Sequence, residues 1–157
     1  MRALVLCDTR AVADTPEAAQ ARREQIKRVT SEGMQPVVDA MLGRLFAPQT
    51  IENKRELVER ERETMLSANP AGVAAALEAL ATRPDVTSYL PEIACPTLVI
   101  VGEHDAISPP AEMRKMAAAI PNAEFVELPD CGHMSPLENP GGFNGALHSF
   151  LNRVGKA

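Results

Sequence analysis

The chain has 157 residues, 45% of them apolar, enough for one domain with its own core, which excludes a disordered or low-complexity protein. Sixteen Lys and Arg against 21 Asp and Glu leave a net charge of −5, and aromatics make up only 3%. That excludes the basic surface and the stacking platforms on which nucleic-acid binding depends.

No apolar run approaches the roughly 18 residues of a membrane span. Met1–Cys7 is too short for a secretory apolar region and has no small-residue cleavage site, so a cytoplasmic protein is expected. Cys7, Cys95 and Cys131 form no zinc pattern, and their odd number argues against a disulfide framework. Neither a metal nor a cofactor is expected.

In chain order, residues 2–7 read as a buried strand. Residues 11–88 contain no credible strand and read as four helices. The first starts at Thr15-Pro16-Glu17 and runs to Glu32, where Gly33 ends it. The second runs from Gln35-Pro36 to Phe46, with Val37, Val38, Met41, Leu42 and Leu45 along one face. The third covers 51–66, and the fourth runs from Pro70 to Ala81. In the third, Leu57, Val58 and Met65 point one way, but Glu61 interrupts the stripe. Either that face is partly wet, or it has adapted to lost covering.

Residues 96–102 (Pro-Thr-Leu-Val-Ile-Val-Gly) read as a second strand and 123–128 as a third. The first two strands are continuous apolar runs, the pattern of parallel strands covered on both faces. The third is interrupted by Glu124 and Glu127 and suits a position nearer an edge. Pro109-Pro110 opens a helix to about Ile120, and a last helix is expected over 138–154, with Phe143, Leu147, Phe150, Leu151 and Val154 at helical spacing. Strand, helix, strand, helix is the order of right-handed parallel crossovers. The domain reading is therefore 1–10 as first core strand, 11–88 as an all-helical insertion, and 89–157 as the remaining core.

Two segments could carry chemistry. Gly102-Glu103-His104-Asp105 follows the second strand, and Asp130-Cys131-Gly132-His133 follows the third. In open parallel sheets, ligand and catalytic groups sit outside the carboxyl ends of the strands. Asp105 and His133 would both arrive there, and a carboxylate beside an imidazole fixes its tautomer and stabilises the imidazolium. Asp105 could instead cap the helix beginning near Pro109. Asp8, just past the first strand, is the rival acid. Cys131, Ser108 and Ser135 are poor nucleophile candidates. His104 reads as structural and His148 as a surface residue. The Arg- and Glu-rich helix 17–32 reads as a solvated face with i,i+4 pairs.

Gly102-x-x-Asp105 with Pro109-Pro110, then Gly132-His133 and Glu138-x-Pro140, resemble the acid and histidine segments of the α/β-hydrolase superfamily of small esterases, enol-lactonases and C–C hydrolases. The resemblance covers essentially the whole chain. Residues 2–8 resemble the family's sixth strand, 11–88 its helical cap, and the remainder its last two strands and helices. It implies a partial α/β-hydrolase fold: three parallel strands flanked by helices, with an inserted all-helical cap. It also implies that Asp105 and His133 are the acid and base of a catalytic triad. The family's nucleophile stands on a Gly-x-Ser-x-Gly elbow, and none of Ser31, Ser67, Ser88, Ser108, Ser135 or Ser149 has that flanking pattern.

The expectation is thus a protein of ester- or lactone-hydrolase lineage with the Asp–His pair but without nucleophile serine or oxyanion hole, and with little or no serine-hydrolase activity by itself. A small apolar ester or lactone is the expected ligand class. The alternatives are a non-catalytic self-associating half-domain or binding module, and a weak esterase in which His133 attacks directly or activates water. The first strand is apolar on both faces, yet this sequence offers no strand ahead of it. An unpaired edge is a template for another chain, which predicts a homo-oligomer, most simply a dimer, or a complementary N-terminal half.

Overall fold

The computed structural model describes residues 1–155. Between β1 (Leu4–Cys7) and β2 (Thr97–Gly102) lie α1 (Pro16–Glu32), α2 (Gln35–Leu45), α3 (Pro48–Asn53), α4 (Arg55–Leu66), α5 (Pro70–Ala81) and a 3₁₀ turn (Thr87–Glu92). Helix α6 (Pro110–Ala119) joins β2 to β3 (Ala123–Leu128), and α7 (Ser135–Glu138) and α8 (Pro140–Val154) follow. The strands form one sheet in the order β1-β2-β3, with both pairings parallel. Leu4 lies opposite Thr97, and Thr97 opposite Ala123, so the carboxyl ends of all three strands finish at one edge.

Strand β2 is buried at every position and, because successive strand side chains point to opposite faces, it feeds two cores. Val99 and Val101 pack with Met113, Met116 and Ile120 on the α6 side and with Leu90 of the 3₁₀ turn. Leu98 and Ile100 pack on the other face with Leu128, Cys131 and Phe150 of α8. Burying a side chain of the size of Phe150 contributes about 1.5–3 kcal/mol. The flanking strands are less enclosed: β3 is largely half-buried, and β1 has Val5 37% exposed on the open side of the sheet.

The helical insertion has a core of its own. Val29 of α1, Met34 and Val37 at the start of α2, and Leu77 of α5 cluster with half-buried Ile26, Met41 and Val73. Thr15 caps α1 by accepting the Ala18 N–H at 3.2 Å, and Gly33, at φ +78°, lets the chain leave the helix. Asp14 pairs with Arg22 of α1 and, at 2.9 Å, with Arg83 beyond α5, tying the two ends of the insertion together. Among the described residues no helix is long and apolar enough to cross a membrane.

Two helix boundaries depart from expectation. The single helix over 51–66 is two, α3 and α4, with Lys54 between them at φ −124°, ψ 50°. The Lys54 ammonium there donates to the Glu138 carbonyl, a tertiary contact that a straight helix would not place. Helix α4 buries no residue, so the Glu61 interruption marks a partly wet face. The expected helix over 138–154 breaks at Asn139-Pro140. Proline disfavours helical geometry in the preceding residue, and Asn139, at φ −136°, instead caps α8 by accepting the Gly142 N–H at 2.9 Å. A 3₁₀ turn at Thr87–Glu92, which no periodicity in the sequence marks, closes the insertion.

Candidate active site

Asp105 lies three residues beyond the end of β2. Its Oδ1 accepts the N–H groups of Ile107 at 2.7 Å and Ser108 at 2.8 Å. This Asx-type turn fixes the side chain within its own loop; the residue at the N-cap of α6 is Pro109, not Asp105. The second oxygen, Oδ2, is left to face His133 Nδ1 at 2.9 Å, with the Asp105 side chain fully buried. An ionised carboxylate only accepts, so Nδ1 carries the proton and Nε2 presents its lone pair away from Asp105.

Two close crossings of backbone make this meeting possible, and both require glycine. A Cβ on Gly102 would fall 2.1 Å from the Gly132 carbonyl oxygen, and one on Gly132 would fall 2.7 Å from the Ala47 nitrogen. The end of β2, the His133 loop and the joint between α2 and α3 are therefore stacked backbone on backbone. The cross-links are direct: His104 N–H donates to Cys131 O at 2.7 Å, and Met134 N–H donates to Leu45 O at 3.1 Å.

Burial of the imidazole by itself favours the neutral form, but the Asp105 hydrogen bond and charge, with the charge of Asp8 behind them, prevail and raise the His133 pKa. Arg44 opposes them from the cap side. The rival acid Asp8 does not hydrogen-bond to His133. Its Oδ1 accepts the Gly102 N–H at 3.0 Å, and its Oδ2 accepts the hydroxyl of Ser135 at 2.6 Å and the thiol of Cys7 at 3.0 Å. Asp8 sits at φ +42°, a left-handed conformation that aspartate tolerates better than most side chains. Burial outweighs those hydrogen bonds and raises its pKa.

The other candidates fall away on geometry. Burial, then the Glu138 charge, pushes the Cys131 thiol up to about 11, so it stays protonated and donates to Pro129 O. Cys7 is pushed up to about 12, by burial first and Asp8 next. Ser135 is fully buried and committed to Asp8, Ser108 is buried, and among the described residues no serine hydroxyl hydrogen-bonds to His133. His148 is exposed on α8 beside Asn152. Exposed Glu103, His104 and Asp130 bring ligand-capable atoms within 4.8 Å of one another. The Gln49 amide already occupies that cluster, donating to Asp130 at 2.7 Å.

In the sequence Glu138 stands only as part of the Glu138-x-Pro140 pattern, which assigns it no role. Its carboxylate is buried and accepts three backbone N–H groups, from Gly132, Met134 and Ala47. The signal was the Glu138-x-Pro140 spacing, since Pro140 ends α7 and holds Glu138 beneath the loop. A recess of about 520 Å³ opens between Arg44, Phe46, Pro48 and Ile51 of the cap and His104 and Ala106, the neighbours of Asp105 in sequence; neither Asp105 nor His133 lines it. A more enclosed, apolar recess of about 360 Å³ lies between residues 9–12, the 3₁₀ turn and α6 and touches neither Asp105 nor His133.

A parallel sheet with an inserted helical cap, and an acid and a histidine paired at its carboxyl edge, are features of the alpha/beta hydrolase fold. The chain belongs to the alpha/beta hydrolase fold family, whose sequence pattern matches residues 3–140. It is similar to 3-oxoadipate enol-lactonase 2 of Acinetobacter baylyi, at 29% identity over 96% of this chain and 54% of that protein. Among solved structures it resembles a thermophilic esterase from Thermogutta terrifontis (47% identity, TM-score 0.94, 97% of this chain and 56% of that one). The enol-lactonase from Burkholderia xenovorans is also similar (32% identity, TM-score 0.87, 97% and 56%). The chain spans about half the length of these relatives.

Proposed function

We propose that the chain is the acid–base portion of a serine-type ester or lactone hydrolase. The 2.9 Å pairing of Asp105 with His133 carries this reading, and the likeness to an esterase and two enol-lactonases supports the substrate class. In the reaction, His133 Nε2 takes the proton of a serine hydroxyl as that oxygen bonds to the acyl carbon. Asp105 holds the imidazolium, which then gives the proton to the departing oxygen as the ester C–O bond breaks. Water, activated in the same way, releases the acid. This sequence contains no Gly-x-Ser-x-Gly elbow, so by itself the chain carries little or no such turnover. The test is a fluorophosphonate probe: the purified chain should stay unlabelled, and labelling of a serine that is lost in His133→Ala would overturn that part of the reading.

The open side of β1 supports a second reading, self-association. Val5 is 37% exposed beside an unpaired strand edge, and Tyr89 of the 3₁₀ turn is 60% exposed. A two-fold dimer through this edge, or a nucleophile-bearing half seated on it, would cover the strand edge and Val5. Sedimentation at micromolar concentration should show a species of twice the chain mass, and one-chain mass alone would reject the dimer. Adding a polypeptide that carries the nucleophile elbow would then show whether the two halves join into an active hydrolase.

A further inference from the structure

We propose that Glu138 is a positioning residue for His133, its carboxylate clamping the histidine loop to the cap so that the imidazole is held in register with Asp105. The inference rests on His133 being the base. Glu138 Oε1 accepts the N–H of Gly132 at 2.8 Å and of Met134 at 3.2 Å, the two residues that flank His133. Its Oε2 accepts the Ala47 N–H at 2.8 Å, at the joint between α2 and α3. One buried side chain thus holds the peptide groups on both sides of the histidine and ties them to the cap.

Burying a carboxylate is costly unless its lone pairs are engaged. Here they are engaged by backbone donors, since no described Lys, Arg or His pairs with this carboxylate; the Lys54 ammonium reaches the Glu138 carbonyl instead. The placement matters because Asp105 and His133 come from different layers of the stack formed by the β2 end, the histidine loop and the cap joint. With Gly132 packed against Ala47 and Gly102 against Gly132, the loop has little freedom in the stacking direction. The carboxylate removes its freedom to slide or rotate. Glu138 makes no hydrogen bond to the imidazole itself and reaches it through the peptide groups on either side.

Glu138→Gln tests this in the full chain. The amide keeps the volume and one oxygen, but it must set its NH₂ against either the Ala47 donor or the two loop donors. We expect a folded protein by circular dichroism in which the His133 Nδ1–H proton resonance broadens or vanishes and the imidazole pKa falls toward its ordinary value. Asp105→Asn is the control. If it leaves His133 titrating as in wild type, the Asp–His reading itself fails. If Asp105→Asn lowers the pKa while Glu138→Gln matches wild type in both readouts, the pairing stands and the role of Glu138 is rejected. Should Glu138→Gln not fold, amide hydrogen exchange of the wild-type chain decides: the Gly132 and Ala47 N–H groups should be strongly protected, and rapid exchange at both would reject the clamp.

Discussion

The cap meets the rest of the protein in two different ways. Its outer part, α1 with α5 and the start of α2, is held by apolar packing around Val29, Met34, Val37 and Leu77. Its inner joint, residues 45–54, is fastened to the histidine loop by directional bonds from Leu45, Ala47, Gln49 and Lys54. Apolar packing is non-directional and tolerates small shifts. Hydrogen bonds to a buried carboxylate do not. Both parts therefore supply stability, but only the joint sets where the imidazole stands.

The largest effect that would break this comparison is at Glu138. Glu138→Ala strands the N–H groups of Gly132 and Ala47, each buried unpaired donor costing about 1–3 kcal/mol, while Met134 N–H keeps its bond to Leu45 O. A summed loss of about 2–6 kcal/mol is expected in urea unfolding. A loss as small as that of a surface substitution would mean that the joint is not held by polar bonds.

Next in size is Leu77→Ala in the outer cap, expected to cost about 2–3 kcal/mol by truncating a packed side chain. It should leave the His133 titration where it is, and a shifted imidazole pKa would show that the two parts of the cap are not separable.

Asp105→Asn should lower the His133 pKa, read by NMR titration. Because the folded value in wild type is raised, the Asp105 contribution is fully present below the ordinary histidine value and is lost as pH rises through the folded one. The stability gap between wild type and Asp105→Asn should therefore narrow from acidic to alkaline pH within that window.

The smallest effect is at Asp14, whose pKa is lowered by its hydrogen bond to Arg22 first, then by the charges of Arg22 and Arg83. Asp14→Asn should reduce Tm by a few degrees at neutral pH, less than Leu77→Ala. A depressed carboxyl stabilises above its ordinary pKa, so the difference should shrink as pH falls through the lowered value. Scanning calorimetry at neutral and strongly acidic pH checks it, and a constant difference would discard the ion-pair account.

Much of this protein is legible from residue order. The apolar run at 97–102, the prolines opening α1, α5 and α6, and Gly33 after α1 specify elements through local sterics and hydrophobic periodicity, which act over a few residues. The spacing of Gly102 and Asp105, and of Gly132 and His133, likewise places both groups just past strand ends. Tertiary structure decided the rest. That Asp105 and not Asp8 bonds to His133 depends on Ser135, Cys7 and Gly102 occupying the oxygens of Asp8. The break at Lys54 and the role of Glu138 depend on partners 84 and 91 residues away along the chain. Such contacts leave no periodic trace, because a hydrogen bond between distant segments constrains one donor and one acceptor and nothing in the residues between them.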